Sequence, residues 1–417
     1  MSKFKPDNIM HVIHDDILPL YVTYKRICLG KVEKCSSETL IAFVDNPCDN
    51  YTQLYEAFTF EKPLILQTLK EVTCFSEVHV GLDSDSIFYQ YGYKKPQGFV
   101  TPKINGEIVF EFTEYILKHL RIERNPVMTK STFIGRLVNR KILNEKFLVE
   151  LIKDLHFKNT GQTILVNNID INAQPIEEVI VSVANSKLII GMHGAGMMLA
   201  MFMPLGSIAL ELFPYGIVKE HVSALYSLSR VRDVHFGYLS WTNIKKENSL
   251  RHPEYPRLLG GFDGISDAEK IRITNASHVQ AVHCCNDPLY LHFMYQDTYV
   301  DDTIIPIVLE SFKNKKIIDS KKLMLESWYF PSQVRNIECY LNDNHLTVMW
   351  DPPINVGNLS GTYYKVFLSW PEQNSTYVTK SSLLRIDLSL KDKHLLVWIL
   401  CVRNGIQGTD SYFMCRF

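Results

Sequence analysis

The sequence predicts an α/β protein built on a doubly wound parallel sheet, with an all-β sandwich following it. Three observations carry that prediction. Residues 131–213 alternate short apolar runs with amphipathic helical stretches, the order of β-α-β units. The runs Leu188–Met192 and Ser207–Phe213 are apolar at nearly every position, which suits strands covered on both faces. Beyond Pro331 the hydrophobic period changes to two, with Pro and Gly turns between short strands.

The 417 residues leave room for two or three domains. The reading divides them into 1–122, 123–310, a lysine-rich linker 311–330 and the sandwich 331–417. With 44 basic against 45 acidic residues the net charge is −1, which gives no electrostatic basis for binding nucleic acid or an anionic membrane surface.

Polar chemistry appears at once, packed into an apolar frame. Asn8, His11, His14, Asp15 and Asp16 interrupt a run of Ile, Met, Val and Leu. On a helix His11 and Asp15 lie one turn apart and Asn8 precedes His11 by three, so the three share a face. Two readings follow: a satisfied His–carboxylate pair in an N-terminal helix, or a general base held by a carboxylate and aimed at a cleft. Further on, Leu40–Val44 reads as a strand, Tyr51–Phe58 as a helix, and Val72–Val80 leads into a turn at Gly81. Gly92–Asn105 reads as a loop and Phe110–Leu120 as an amphipathic helix.

The sheet region predicts strand Ser131–Ile134, a turn over Gly135–Arg140, helix Asn144–Leu155, strand Thr163–Val166 and a helix with Pro175 at its first position. From Leu188 to Leu210 the chain carries no formal charge and is long enough to suggest a membrane span. Gly191, Gly194, Gly196, Pro204 and Gly206 argue against it. The stretch divides into strand Leu188–Met192, a turn at His193-Gly194-Ala195-Gly196, a helix Met197–Met203 stopped by Pro204, and strand Ser207–Phe213. Ligands of such sheets sit outside the carboxyl ends of the strands, where Arg136, Arg140, His193 and Gly194 fall. Two arginines beside a helix N-terminus suit a diphosphate, and surface arginines in a loop are the plainer alternative. Glu211, the one charge in its strand, requires a partner: a ribose hydroxyl or a structural arginine.

Four sequons, at Asn50, Asn275, Asn358 and Asn374, and nine cysteines without CxxC spacing fit either a disulfide-bearing secretory protein or one with buried thiols. His283-Cys284-Cys285 invites a metal reading, but adjacent cysteines rarely ligate one zinc with a neighbouring histidine, so no metal site is expected. In the tail, Trp350-Asp351-Pro352-Pro353 and Arg403-Asn404-Gly405 resemble a fibronectin type III domain. Leu395 and Leu396 stand where that fold usually carries a corner tyrosine.

Together, FKPDNIMHVIHDDILPL at the start, YQYGY at Tyr89–Tyr93, NRKILNE at Asn139–Glu145, GMHGA at Gly191–Ala195, ELFPY at Glu211–Tyr215, HCC at His283–Cys285 and YQDT at Tyr295–Thr298 resemble glycosyltransferase family 61 over nearly the whole chain. That family includes the EGF-domain O-GlcNAc transferase and plant xylosyltransferases. The family's glutamine-leucine after HGA is Gly196-Met197 here. The resemblance implies a GT-B-like pair of Rossmann-type domains, 1–122 on the acceptor side and 123–310 on the nucleotide-sugar side, before the fibronectin type III-like sandwich. It implies inverting transfer of N-acetylglucosamine from UDP-GlcNAc to O-linked mannose on a secretory glycoprotein such as α-dystroglycan, with no cofactor and no metal. Arg136, Arg140, His193, Gly194, Ala195 and Glu211 would bind the UDP-sugar, and His11, His14, Asp15 and Asp16 would be catalytic, with Asn8 on the acceptor side. It further implies residence in the endoplasmic reticulum lumen, with a membrane anchor and part of the first domain ahead of this sequence, and leaves a homodimer open. Another donor or acceptor, as in O-GlcNAc or xylose transfer, and a non-catalytic sugar-binding homologue are the alternatives.

Overall fold

A computed structural model describes residues 5–44, 51–91, 97–124, 130–171, 173–279, 286–312, 331, 334–342, 345–353, 361–370, 373–387, 394–403 and 406–417. The HCC motif, the sequons at Asn50 and Asn358 and all of the linker except Ser311 and Phe312, which end a helix, lie outside these residues.

The chain opens on a helical run: α-helix Ile9–His11, a π turn Val12–Ile17 in which the Leu18 amide reaches back to the Ile13 carbonyl, and α-helix Leu18–Ile27. Asn8 caps it, its Oδ1 accepting from the Met10 amide at 3.0 Å. Cys28–Cys35 bridges this run to the next helix, Val32–Glu38. The strand expected at 40–44 is two residues long, β1 (Ala42–Phe43), paired in parallel with β2 (Leu64–Ile65). Likewise β3 (Tyr89–Gln90) pairs antiparallel with β4 (Gly98–Phe99). Among its described residues, region 1–122 therefore carries only two-stranded sheets where a Rossmann-type sheet was expected. The physical reason is visible in Val72–Val80, which is exposed without regular structure and supplies no doubly buried strand.

The helix expected at Phe110–Leu120 spans Gly106–His119 and is capped by Asn105. It buries Val109, Phe112 and Ile116, each side chain worth about 1.5–3 kcal/mol. It starts at a glycine because a Cβ on Gly106 would lie 1.9 Å from the Asp233 carbonyl oxygen.

The centre is a parallel sheet of β5 (Lys130–Ile134), β6 (Leu165–Ile169), β7 (Leu188–Met192), β8 (Ile208–Phe213) and β9 (Gly237–Thr242), in the order β6-β5-β7-β8-β9. β7 and β8 are buried at every position. One face packs Phe133, Ile190 and Leu210 against helices Glu145–Thr160 and Ile305–Phe312. The other packs Ile134, Ile189 and Ala209 with helix Ile176–Ala184, the 3₁₀ helix Ala195–Phe202 and the N-terminal helical run. Residues on both sides of position 122 thus share one core. β6 begins two residues later than expected because Asn167 and Asn168 are tolerated on an edge strand, where apolar runs mislead. Pro175 is the cap before its helix rather than the first helical residue, and the helix expected at Met197–Met203 starts at Ala195 as a 3₁₀ turn. No helix among the described residues is long and apolar enough to cross a membrane.

A short pair, β10 (Ser249–Leu250) and β11 (Asp297–Thr298), closes the sheet region. The C-terminal region is all β. The strands β12 (Arg335–Asn342), β13 (His345–Asp351) and β16 (Leu383–Asp387) form one antiparallel sheet. The strands β14 (Thr362–Trp370), β15 (Gln373–Thr379), β17 (His394–Arg403) and β18 (Ile406–Arg416) form the other. Leu346, Val348 and Trp350 from the first meet Val366, Val397 and Ile399 from the second, as period-two burial requires. Cys339–Cys415 ties the two sheets together.

Candidate active site

In a sheet ordered 2-1-3-4-5 the topological switch lies between the first and third strands, and ligands bind outside their carboxyl ends. Here those strands are β5 and β7. The chain leaves β5 into the turn that carries Arg136 and Arg140, and leaves β7 into His193 and Gly194. Arg140 Nη1 donates to the His193 carbonyl at 2.7 Å, and Arg136 Nη2 approaches the same oxygen at 3.4 Å. Gly194 makes this possible: a Cβ there would sit 1.8 Å from Arg136 Nη2 and 2.9 Å from Arg140 Nη1. Burial, then the like charge of Arg140, pushes the Arg136 guanidinium well below its usual range, and burial lowers Arg140 also. Arg136 Nε is buried without a hydrogen-bond partner. Two guanidiniums crowded over one carbonyl form a place that gains from an anion. Ala195 begins the 3₁₀ helix directly behind them.

His193 Nδ1 bonds Glu211 Oε1 at 2.8 Å, and its ring stacks on Phe213 with centroids 5.2 Å apart. Burial lowers the pKa of the ring, and the two arginines add to that against the pull of Glu211. His193 is thus a neutral imidazole donating to Glu211. Glu211, 1% exposed, also accepts from Ser223 Oγ at 2.6 Å and Tyr238 OH at 2.8 Å. Within the chain the partners of Glu211 are therefore His193, Ser223 and Tyr238, and not the structural arginine that was one of the two expectations. These bonds tie the His193 turn to β9 and to the helix that Ser223 caps.

The second cluster sits on the π turn. Such insertions recur at functional sites because they re-aim side chains within a helix. Asp15 Oδ2 accepts from His11 Nδ1 at 2.7 Å, and Oδ1 from His14 Nδ1 at 2.5 Å and Tyr91 OH at 2.6 Å. The amides of Phe88 and Tyr89 donate to His14 Nε2 at 3.4 and 3.3 Å, which puts the His14 proton on Nδ1. Burial would raise the Asp15 carboxyl, but hydrogen bonds from His11, His14 and Tyr91 outweigh it and hold it well below the usual carboxylate range. Asp16 points elsewhere, to Tyr55 OH at 2.5 Å. Asn8 spends its side chain on the helix cap. The structure therefore brings His11, His14 and Asp15 together and leaves Asn8 and Asp16 at the margin.

Tyr89 joins the two clusters. Its amide meets His14, while its hydroxyl shares its one proton between Gln97 Oε1 at 2.8 Å and the Val222 carbonyl at 3.2 Å, one residue before Ser223. Ser223, Tyr238 and Tyr91 were not expected as site residues. The only sequence signal for any of them is the YQYGY stretch, which holds Tyr89 and Tyr91.

The chain thus carries an anion-ready switch point and a histidine-clasped carboxylate, linked through Tyr89, and comparisons with known proteins give the family that carries them. Residues 10–210 match the model described as Glycosyltransferase 61. The chain is 30% identical over 430 residues to protein O-linked-mannose beta-1,4-N-acetylglucosaminyltransferase 2 of Mus musculus, covering 97% of this chain and 70% of that protein. The Homo sapiens protein of that name gives 30% identity with 97% and 71% coverage, and that of Xenopus tropicalis 29% with the same coverage. Among solved structures, the rat CD45 extracellular region, domains d3-d4, aligns at a TM-score of 0.19 with 12% identity, covering 21% of this chain and 50% of that chain, too low to assign a fold. The chain is a glycosyltransferase and belongs to glycosyltransferase family 61.

Proposed function

We propose that this chain transfers N-acetylglucosamine from UDP-GlcNAc to O-linked mannose on a secretory glycoprotein such as α-dystroglycan, with inversion. The observation that carries the reading is the pair of guanidiniums converging on the His193 carbonyl at the sheet's switch point. Arg136 and Arg140 grip the diphosphate, and Gly194 and Ala195 let it approach the backbone amides that open the 3₁₀ helix. As the sugar–phosphate bond breaks, that fixed positive charge stabilises the departing β-phosphate, the role a metal ion would otherwise fill.

The acceptor proton goes to His11. Asp15 is ionised and saturated by three donors, so it orients rather than accepts. By accepting a hydrogen bond from His11 Nδ1–H it keeps that proton on Nδ1 and the lone pair on Nε2, and it stabilises the imidazolium formed when Nε2 takes the proton of the acceptor hydroxyl as its oxygen attacks the anomeric carbon. His14 locks the carboxylate from its other side, and Asp16 anchors the helix through Tyr55. In fold terms we read the five-stranded sheet as the nucleotide-sugar half of a GT-B-like fold, with the N-terminal region packed on it in place of a second Rossmann-type sheet, and the three-on-four-stranded tail as fibronectin type III-like, a platform for the glycoprotein. The disulfides Cys28–Cys35 and Cys339–Cys415 and the exposed sequons at Asn275 and Asn374 support the endoplasmic reticulum lumen as its compartment.

Incubation with an O-mannosyl peptide and either UDP-GlcNAc or UDP-xylose tests the reading. Transfer of N-acetylglucosamine in β-1,4 linkage is expected. Transfer from UDP-xylose alone, or onto unmannosylated serine and threonine, would overturn it.

A further inference from the structure

The motif Tyr295-Gln296-Asp297-Thr298 has no task in the donor site as drawn so far, yet each of its residues touches that site's loops. The guanidinium carbon of Arg140 lies 5.1 Å from the centre of the Tyr295 ring. Gln296 Nε2 donates to the carbonyl of Tyr215, just past β8, at 2.7 Å. Asp297 is fully buried, and its Oδ1 accepts from the Lys141 amide at 2.8 Å. Thr298 donates its amide to the Lys141 carbonyl at 2.8 Å and accepts from the Leu143 amide at 2.9 Å. Both sides of Lys141 are therefore clamped, directly after Arg140.

Arg140 needs that clamp. Its φ is +54°, in the left-handed region that costs a residue with a Cβ about 1–2 kcal/mol. Released, the backbone would relax and carry the guanidinium away from the His193 carbonyl. The clamp is itself pinned from behind. His252 Nε2 meets Asp297 Oδ2 at 3.0 Å, its Nδ1 meets Glu254 at 3.0 Å, and its ring stacks on Tyr255 with centroids 4.4 Å apart.

We propose that Asp297, pinned by His252, is a positioning residue for donor binding: it holds Arg140 in its left-handed conformation so that the guanidinium stays over the His193 turn. The inference rests on the reading of Arg140 as a diphosphate ligand and extends the donor site to the segment 295–298 behind it.

The test measures UDP dissociation constants by calorimetry, donor KM and kcat with UDP-GlcNAc, and melting temperature. The proteins are the full chain and its Arg140→Ala, His252→Ala, Asp297→Asn and Arg140→Ala/His252→Ala variants. Arg140→Ala should weaken UDP about tenfold or more. His252→Ala and Asp297→Asn should weaken UDP and raise donor KM by about three- to tenfold, with kcat nearly unchanged. In the Arg140→Ala background His252→Ala should add nothing further to the loss of UDP affinity. Wild-type UDP binding by His252→Ala and Asp297→Asn, with Arg140→Ala impaired, would overturn the clamp, and so would fully additive losses in the double variant. Wild-type binding by Arg140→Ala would instead sink the donor-site reading. If Asp297→Asn fails to fold, His252→Ala decides alone, because it removes the pin on Asp297 Oδ2 without changing Asp297 itself.

Discussion

The two polar clusters of this enzyme are built in opposite ways. His11, His14 and Asp15 come from one helical run, and their mutual geometry is set by the π turn that carries two of them. Arg136, Arg140, His193, Glu211, Ser223 and Tyr238 come from the ends of four different strands and the loops between them, and meet only because the sheet register brings them together. A locally built cluster can lose one side chain without disturbing its frame, so its variants should fail in chemistry. A cluster assembled across strands shares its hydrogen bonds with the fold, so its variants should fail in binding and stability together.

The sharpest break between the two is His11→Ala. Loss of the general base proposed at His11 lowers turnover by about 10²–10⁴-fold. Transfer to an O-mannosyl peptide should fall by that factor while the UDP dissociation constant stays at the wild-type value. A loss of UDP affinity in step with turnover would show that the helical cluster belongs to the donor site after all.

Glu211→Ala probes the other kind of construction. It strips the shared acceptor from His193, Ser223 and Tyr238, three buried donors. Leaving buried polar groups unpaired costs about 1–3 kcal/mol each, so unfolding in urea should show a loss of at least about 3 kcal/mol, accompanied by weaker UDP binding. Lost turnover with unchanged stability and UDP affinity would mean that Glu211 acts on the reaction and not on the loop.

The same contrast decides how much could be read from the sequence. The i, i+4 spacing of His11 and Asp15 is local, so their bond was legible, though the π turn that presents His14 to the same carboxylate was not. β7 and β8 were legible because strands buried on both faces read as unbroken apolar runs. The position of Arg136, Arg140 and His193 followed from strand order alone. The partners of Glu211 did not, because Ser223 sits on a helix start and Tyr238 on the neighbouring strand, and no periodicity links them. Asp297 is hidden for the same reason: it lies 156 residues from the Lys141 amide that it holds.

The smallest expected effect separates the clusters by pH. The Asp15 carboxyl is raised by burial but lowered further by the bonds from His11, His14 and Tyr91, so its folded pKa lies below its unfolded one. A group shifted that way contributes its full stability above the unfolded value, near about 3.9. The contribution is lost as the pH falls through the depressed folded value, by at most about 1.4 kcal/mol per pH unit for one proton. Asp15→Asn removes the titration. The variant should start less stable at neutral pH, since an amide cannot satisfy three donors, and should then lose stability less steeply than the wild type below about pH 4. Urea midpoints followed by tryptophan fluorescence across that range give both slopes. Parallel slopes would mean that Asp15 keeps the same proton affinity in the unfolded chain, and the histidine clasp would lose its claim to hold the carboxylate ionised.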